Sequence, residues 1–267
     1  MPDLTRLEDF LARLGSVVLG YSGGVDSGLL AVVATRSLGP QRFLAVLGVS
    51  PSLAAAQRET ALALARQYGV PLCQVRTREL EDPRYVANAP NRCFHCKMEL
   101  WARVDAVARE RGFDAVIDGT NADDLQDHRP GLAAAQRFGV RSPLAELAWT
   151  KADVRWAARE LGLPVWQAPA APCLASRIRY GLAVTPARLR QVEAGEAFLR
   201  GMGVRGNLRV RHHGTRARIE VDPDQFPLLD QCWTAVTMRF RALGFAEVER
   251  DPDGYRRGSL LPLAGTE

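Results

Sequence analysis

The stretch Gly20-Tyr-Ser-Gly-Gly-Val-Asp-Ser27 constrains this chain most, because it joins an apolar strand to an apolar helix through a loop suited to an anion. Ser16-Val-Val-Leu-Gly20 reads as a short buried strand, and Gly28-Leu-Leu-Ala-Val-Val-Ala-Thr35 continues as a buried helix. The paired glycines, Gly23 and Gly24, let backbone amides crowd around a ligand, and the helix start adds the positive end of its dipole. Ser22 and Ser27 bring hydroxyls to the same anion, whereas Asp26 suits a metal ion or an amide better than a phosphate. Together these residues describe a pyrophosphate cradle. Gly-x-x-x-x-Gly-Lys-Ser/Thr occurs nowhere in the chain, which excludes the other common phosphate loop.

The rest of the N-terminal part repeats the strand-to-helix alternation. Residues 42–49 and 71–75 read as strands, 54–68 as an alanine-rich helix, 94–111 as a helix closed by Gly112, and 115–118 as a fourth strand. Right-handed crossovers then give an α/β fold with a doubly wound parallel sheet, whose ligands lie beyond the carboxyl ends of the strands. The Ser-Gly-Gly loop, Val49-Ser50 and Asp118-Gly119 are three such ends and are expected to converge on one crevice. Thr150 has the character of an N-cap for a helix ending near Gly162 and Pro164. Beyond Thr185 the pattern changes to helix, strand, strand, helix, helix, strand, with Gly214-Thr215 turning a hairpin. The expected domains are 1–168, a proline-rich cysteine-bearing hinge at 169–184, a smaller α+β domain at 185–250 and a loose tail at 251–267.

Composition narrows the setting. No apolar run reaches membrane-spanning length, and Met1-Pro-Asp-Leu lacks signal-peptide character, so a cytoplasmic location and no membrane partner are expected. Five cysteines without an export signal argue against a disulfide framework. Only Lys97 and Lys151 of the 35 basic residues are lysine, so an average arginine here carries little information. The net charge of +5 fits nucleotides, phosphorylated substrates or RNA equally well.

Further groups carry chemistry. In Asp118-Gly-Thr-Asn121-Ala-Asp-Asp124, Gly119 permits a sharp turn, and Asp123 with Asp124 either holds Mg²⁺ against phosphates or caps a helix. Asp127, His128 and Arg129 either line the crevice or face solvent. Cys93-Phe-His-Cys96 at a helix start suits a metal, a cluster or redox chemistry, with His95 a surface or supporting group. Cys173 is the natural third thiolate, and three thiolates leave one position of a cluster open. Alternatively Cys173 acts alone as a sulfur nucleophile, its thiolate favoured by Arg177. Cys73 and Cys232 read as buried structural residues. Arg209 and Arg211, two apart on a strand, share a face, as do Arg216 and Arg218; such a face binds phosphate or carboxylate, or is simply solvated. Glu193, Glu196 and Glu220 are further metal-ligand candidates, and His212 and His213 read as surface residues.

Ser22-Gly-Gly-Val-Asp-Ser27 resembles the signature of N-type ATP pyrophosphatases, which recurs in synthetases of GMP and NAD and in tRNA thiolation enzymes. Asn91-Arg-Cys-Phe-His-Cys-Lys97, Asp118 to Leu125 with Arg129-Pro-Gly131, and Pro172-Cys-Leu-Ala-Ser-Arg-Ile178 together resemble the LarE sulfur transferases over nearly the whole chain. The resemblance implies that ATP adenylates a carboxylate of pyridinium-3,5-biscarboxylic acid mononucleotide. Sulfur then replaces oxygen, a step towards the nickel-pincer cofactor. It implies that Ser22, Gly23, Gly24, Asp26, Ser27, Ser50, Gly119 and Asn121 bind ATP, with Mg²⁺ on Asp26, Asp123 or Asp124. Arg209, Arg211 and Lys97 are the implied substrate anchors. Relatives with one cysteine at the Cys173 position sacrifice its sulfur and leave dehydroalanine. The additional Cys93 and Cys96 resemble a branch holding a [4Fe-4S] cluster. Sulfide or a cysteine desulfurase system is the implied sulfur donor, and a homo-oligomer is expected. The rival readings are a tRNA thiolase, an amidotransferase-type synthetase and a nucleotide sensor; an RNA partner is not expected, since no RNA-binding domain is recognisable.

Overall fold

The computed structural model describes residues 2–125, 130–169 and 171–256. In chain order the elements are α1 (Leu4–Arg13), β1 (Val17–Tyr21), α2 (Val25–Leu38), β2 (Phe43–Val49), α3 (Ala55–Gln67) and β3 (Leu72–Arg76). Next come α4 (Pro83–Val86), α5 (Arg92–Arg111), β4 (Ala115–Ile117), α6 (Pro130–Arg137), α7 (Pro143–Glu146) and α8 (Lys151–Glu160). A 3₁₀ turn (Leu174–Arg177) precedes α9 (Pro186–Gly201), β5 (Leu208–His213), β6 (Arg216–Val221), α10 (Phe226–Gln231), α11 (Trp233–Ala242) and β7 (Glu247–Arg250). The chain divides into two compact units, one of residues 1–79 with 93–171 and one of 80–92 with 172–267.

The first unit is the α/β fold read from the sequence. Its four strands are all parallel in the order β3-β2-β1-β4. Side chains alternate across the sheet. Val17, Leu19, Phe43, Ala45 and Leu47 face the core formed with α1, α2, α3 and α8, while Val18, Leu44 and Val46 face Trp101, Val104 and Ala134 of α5 and α6. Helix α2 is buried almost all round, as its uninterrupted apolar sequence requires. The strand order reverses between β1 and β4, so the loops following these strands flank the switch point where such sheets bind ligands. Thr150 caps α8 through a reciprocal box with Asp153, a device worth about 1 kcal/mol. Helix α1 has no counterpart in the sequence reading, although its signal is local: Asp3 caps the first turn, and Leu4, Leu7, Leu11 and Leu14 recur at helical spacing, Leu7 and Leu11 fully buried.

The second unit has a three-stranded sheet, with β5 and β6 antiparallel and β7 parallel to β6. Leu208, Val210, Ala217, Ile219 and Val221 pack beneath α9, α10 and α11, around Phe240. The other face carries Arg209, Arg211, His213, Arg216, Arg218 and Glu220, joined across to Glu247 and Glu249 of β7. Residues 251–256, expected as part of a tail, fold back: Asp251 is buried and the Tyr255 amide donates to Val221 O at 2.8 Å. Among the described residues no helix is long and apolar enough to cross a membrane.

His212 corrects the expectation of a surface residue, because it is only 2% exposed. It shares the apolar face of β5 with Val210, as strand alternation dictates. Gln191 Nε2 donates to Leu243 O at 2.8 Å, which turns Gln191 Oε1 toward His212 Nε2 at 3.0 Å. Nδ1 accepts from the Gly214 amide at 3.3 Å, so the neutral ring is satisfied and a second proton has no place. Burial, with Arg188 and His213 nearby, pushes the His212 pKa down to about 4. The unfolded chain therefore binds a proton that the folded one refuses, and stability is lost as pH falls from the ordinary histidine value toward 4. Urea midpoints measured between neutral pH and pH about 5 should fall more steeply for the wild type than for His212→Gln. Identical slopes would refute the assignment.

Candidate functional site

The glycines after β1 are required by space as well as by backbone. Gly23 has φ +75°, and a Cβ there would lie 2.5 Å from Ala61 Cβ. A side chain at Gly119, in the loop after β4, would put its Cβ 2.9 Å from Ser27 N and 3.2 Å from Asp26 Cβ. The two loops therefore meet at the start of α2 with no side chain between them. The amides of Val25, Asp26 and Ser27 open α2 and find no acceptor among the described residues. Ser22 Oγ and Ser27 Oγ lie 3.0 Å apart, and Ser27 Oγ reaches Gly24 O at 3.3 Å and accepts from Ser22 N at 3.2 Å. This is a preformed concavity of donors on a rigid helix, with the chemistry of an anion cradle.

Asp26 is the centre of this cradle. Its Oδ1 accepts from Asn121 Nδ2 at 3.1 Å, and its Oδ2 pairs with Lys151 Nζ at 2.5 Å. Asn121 is 1% exposed, and its Oδ1 accepts from the amides of Asp123 and Asp124. Asp118 steadies the base of that loop, accepting from Thr120 N, Thr120 Oγ1 and Ser142 Oγ. Asp123 Oδ2 accepts from the Lys151 amide at 2.9 Å and Asp124 Oδ2 from the Asn121 amide at 3.3 Å, so both carboxylates act in turns and caps. Asp127, His128 and Arg129 lie outside the described residues. Lys151 is a cation that the sequence reading did not assign; its one signal is the scarcity of lysine.

Ser50 is bound elsewhere. It follows β2, donates to Glu79 Oε1 in a very short hydrogen bond and accepts from the Ser52 amide at 3.1 Å. Glu79, also unassigned from sequence, is 2% exposed, and its Oε2 has no partner among the described residues. Leaving such an oxygen unbonded costs about 1–3 kcal/mol. The Ser50 hydroxyl hydrogen is thus engaged by Glu79.

Cys93 and Cys96 stand three residues apart on the first turn of α5, neighbouring positions on one helix face. Cys93 is exposed; Cys96, Cys173, Cys73 and Cys232 are half-buried. Lys97 lies with Nζ 5.5 Å from the Trp101 ring. In the second unit Cys173 precedes the 3₁₀ turn. The Arg177 guanidinium is directed at the backbone, to Pro172 O at 2.6 Å and Cys173 O at 3.1 Å, and pairs bidentately with Glu196. Arg177 therefore shapes the turn, a different task from activating the thiol directly.

Arg209 and Arg211, each 6% exposed, correct the alternative of a solvated basic face. Arg211 pairs with Glu220 at 2.8 Å, and Arg209 lies over the Tyr255 ring at 5.2 Å. Burial and the like charge of Arg177 push the Arg209 pKa down. An anion bound there would relieve that repulsion. Arg216 and Arg218 are partly exposed and paired with Glu247 and Glu249. Glu196 and Glu220 are occupied by Arg177 and Arg211, and Glu193 is half-buried on α9.

Within either unit, no three or more described His, Cys, Asp or Glu side chains are gathered where a metal ion could sit. Mg²⁺ on a nucleotide needs only one or two carboxylates beside phosphate oxygens and water, and Asp26 meets that need. The adjacent Cys93 and Cys96 thiols fit two ligands of an iron-sulfur cluster.

A family model described as NAD synthase matches residues 7–115. An uncharacterized protein of Synechocystis sp. is 42% identical over 96% of this chain and 96% of its own length. A glutamine-dependent NAD(+) synthetase of the same organism is 39% identical over only 23% of this chain and 12% of that protein. The pyridinium-3,5-bisthiocarboxylic acid mononucleotide synthase of Lactiplantibacillus plantarum is 33% identical over 94% of this chain and 90% of that protein. The match to the NAD(+) synthetase covers less than a quarter of this chain, whereas the long one spans nearly all of it. The chain thus belongs to the pyridinium-3,5-bisthiocarboxylic acid mononucleotide synthase family, the LarE-type proteins of PP-loop fold.

Proposed function

We propose that this protein uses ATP to adenylate a carboxylate of pyridinium-3,5-biscarboxylic acid mononucleotide and replaces an oxygen by sulfur, towards a nickel-pincer cofactor. The observation that carries the reading is the cradle at α2, where unpaired amides face a floor kept free of side chains by Gly23 and Gly119. The name of the Lactiplantibacillus relative supports the acceptor. A carboxylate resists nucleophiles because its leaving group would be oxide. Its oxygen therefore attacks the α-phosphorus, and pyrophosphate leaves into the amides of α2 and the hydroxyls of Ser22 and Ser27. Lys151, paired with Asp26 at the cradle, supplies a mobile cation to the departing charge. Mg²⁺ held by Asp26 would add neutralisation there.

The acyl adenylate then accepts the Cys173 sulfur at its carbonyl carbon, and AMP leaves. Loss of the Cys173 Cα proton with cleavage of its Cβ–S bond frees the thiocarboxylate and leaves dehydroalanine. Cys93, Cys96 and Cys173 would alternatively hold a [4Fe-4S] cluster, which supplies exchangeable sulfide and spares the residue. The buried Arg209 and Arg211 receive the phosphate or second carboxylate of the substrate. Lys97 is a further anchor for such an anion.

Carboxylate-dependent exchange of labelled pyrophosphate into ATP tests the first half. Gly23→Ala should lower it about a hundredfold or more, since φ and space are both violated. Wild-type exchange with tRNA alone, and none with the pyridinium dicarboxylate, would sink the proposed acceptor. Cys173→Ala should abolish thiocarboxylate formation while exchange persists; full thiolation by that variant would contradict its role. Anaerobically reconstituted protein should carry iron-sulfur absorption. Colourless protein whose intact mass loses one sulfur on turnover would select the sacrificial route.

A further inference from the structure

Residues 80–92 leave the first unit, join the second and end at the residue before Cys93. Asn88 is the centre of this excursion. It is fully buried and holds φ +57°, a region that asparagine enters more readily than most side chains. Its Nδ2 is directed at three carbonyls, Ile178 O at 3.3 Å, Arg179 O at 2.9 Å and Leu182 O at 2.8 Å. Its own carbonyl accepts from Gly181 N at 3.2 Å, and Val86 O accepts from Val184 N at 2.9 Å. The whole stretch after the Cys173 turn is thus folded against this short segment.

Arg92 completes the arrangement. It is 3% exposed, and its Nη1 donates both to Asn88 Oδ1 and to Ala175 O, the latter at 3.0 Å. Its guanidinium also covers the Tyr180 ring at 5.6 Å. Around Cys173, then, Arg92 holds Ala175 O, Arg177 holds Pro172 O and Cys173 O, and Arg211 holds Ser176 O. Three buried guanidiniums fix four carbonyls of one turn, while Cys173 itself stays half-buried. A surface turn needs no such set of desolvated charges, whose burial is tolerated only when every donor is engaged. The arrangement is fitted to holding one side chain in one place.

We propose that Asn88 and Arg92 are positioning residues for sulfur transfer, holding the turn that presents Cys173 from the segment that leads into Cys93. Cys93 follows Arg92 in the first turn of α5, so a guanidinium bound to Ala175 O is one residue from a second thiol. The naming of sulfur transfer rests on the proposed function; the clamp itself does not.

The test is iodoacetamide alkylation resolved cysteine by cysteine through peptide mass, on the full chain. Asn88→Gly keeps access to positive φ while deleting the side-chain donors, and Arg92→Lys keeps the charge while deleting the fork. Both variants, with Arg92→Ala, should raise Cys173 alkylation about fivefold or more, with Cys73 and Cys232 within about twofold of wild type. Pyrophosphate exchange should stay within about twofold, while thiocarboxylate formation falls about tenfold or more. An unchanged Cys173 rate in folded Arg92→Lys and Arg92→Ala overturns the proposal, as does a parallel rise at all five cysteines. If wild type shows no exchange at all, the functional reading fails while the alkylation comparison still decides the clamp.

Discussion

The hydrogen bonds of Asp26 organise the first unit's site. One carboxylate, on the first turn of the most buried helix, takes Asn121 on one oxygen and Lys151 on the other. These partners come from the loop after β4 and from the start of α8, so three distant segments are registered at one point. The Asn121 side chain links onward to the amides of Asp123 and Asp124, and Asp123 to the Lys151 amide. The result is a closed circuit of side-chain and backbone bonds around the mouth of the cradle. Because each donor has an acceptor within the circuit, the loop is held without relying on a ligand. Preorganisation of this kind is what lets backbone amides stabilise a departing charge without reorganising first.

A different physical device serves the second unit. There guanidiniums, rather than secondary structure, satisfy the carbonyls of an irregular segment. The stretch from Pro172 to Leu182 forms little regular hydrogen bonding of its own, and buried carbonyls without partners would be costly. Arg92, Arg177 and Arg211 supply donors in fixed geometry, and Glu196 and Glu220 balance two of the three charges. Such pairs stabilise little in net terms, since desolvation offsets much of the attraction. Their contribution is to specify one conformation of the turn that follows Cys173.

The sequence revealed what continuous apolar runs and periodicity encode. The strand, glycine loop and helix of residues 17–38, the capped α8, and the order of elements after Thr185 are all local patterns, and all are present. Apart from helix α1, what escaped are groups whose roles arise from contacts distant in sequence. Lys151 meets Asp26 across 125 positions, and Asn88 reaches residues 90 and more positions away. No spacing rule announces such pairings. His212 was legible in principle: strand alternation sets it with Val210 on the apolar face, but two adjacent histidines in a basic segment mask that face. Ser50 was recognised as a strand end, yet only the fold reveals that its hydroxyl donates to Glu79.

The chain's bias toward arginine divides these cations by task. Arginine's planar fork suits several simultaneous, fixed bonds, and the deeply buried cations here, Arg92, Arg177, Arg209 and Arg211, are all of that type. Lys151 retains 37% side-chain exposure while touching Asp26, and Lys97 is exposed above Trp101. An ammonium on a flexible stem can leave one partner for another at little conformational cost, whereas a guanidinium engaged at several atoms cannot. In the proposed reaction, a lysine at each of these two positions would suit a cation that has to move. One stands on the carboxylate at the pyrophosphate cradle, and the other one residue after Cys96. Both halves of the proposed reaction, the departure of pyrophosphate and the arrival of sulfur, shift negative charge, and a flexible ammonium at each position would be able to follow it.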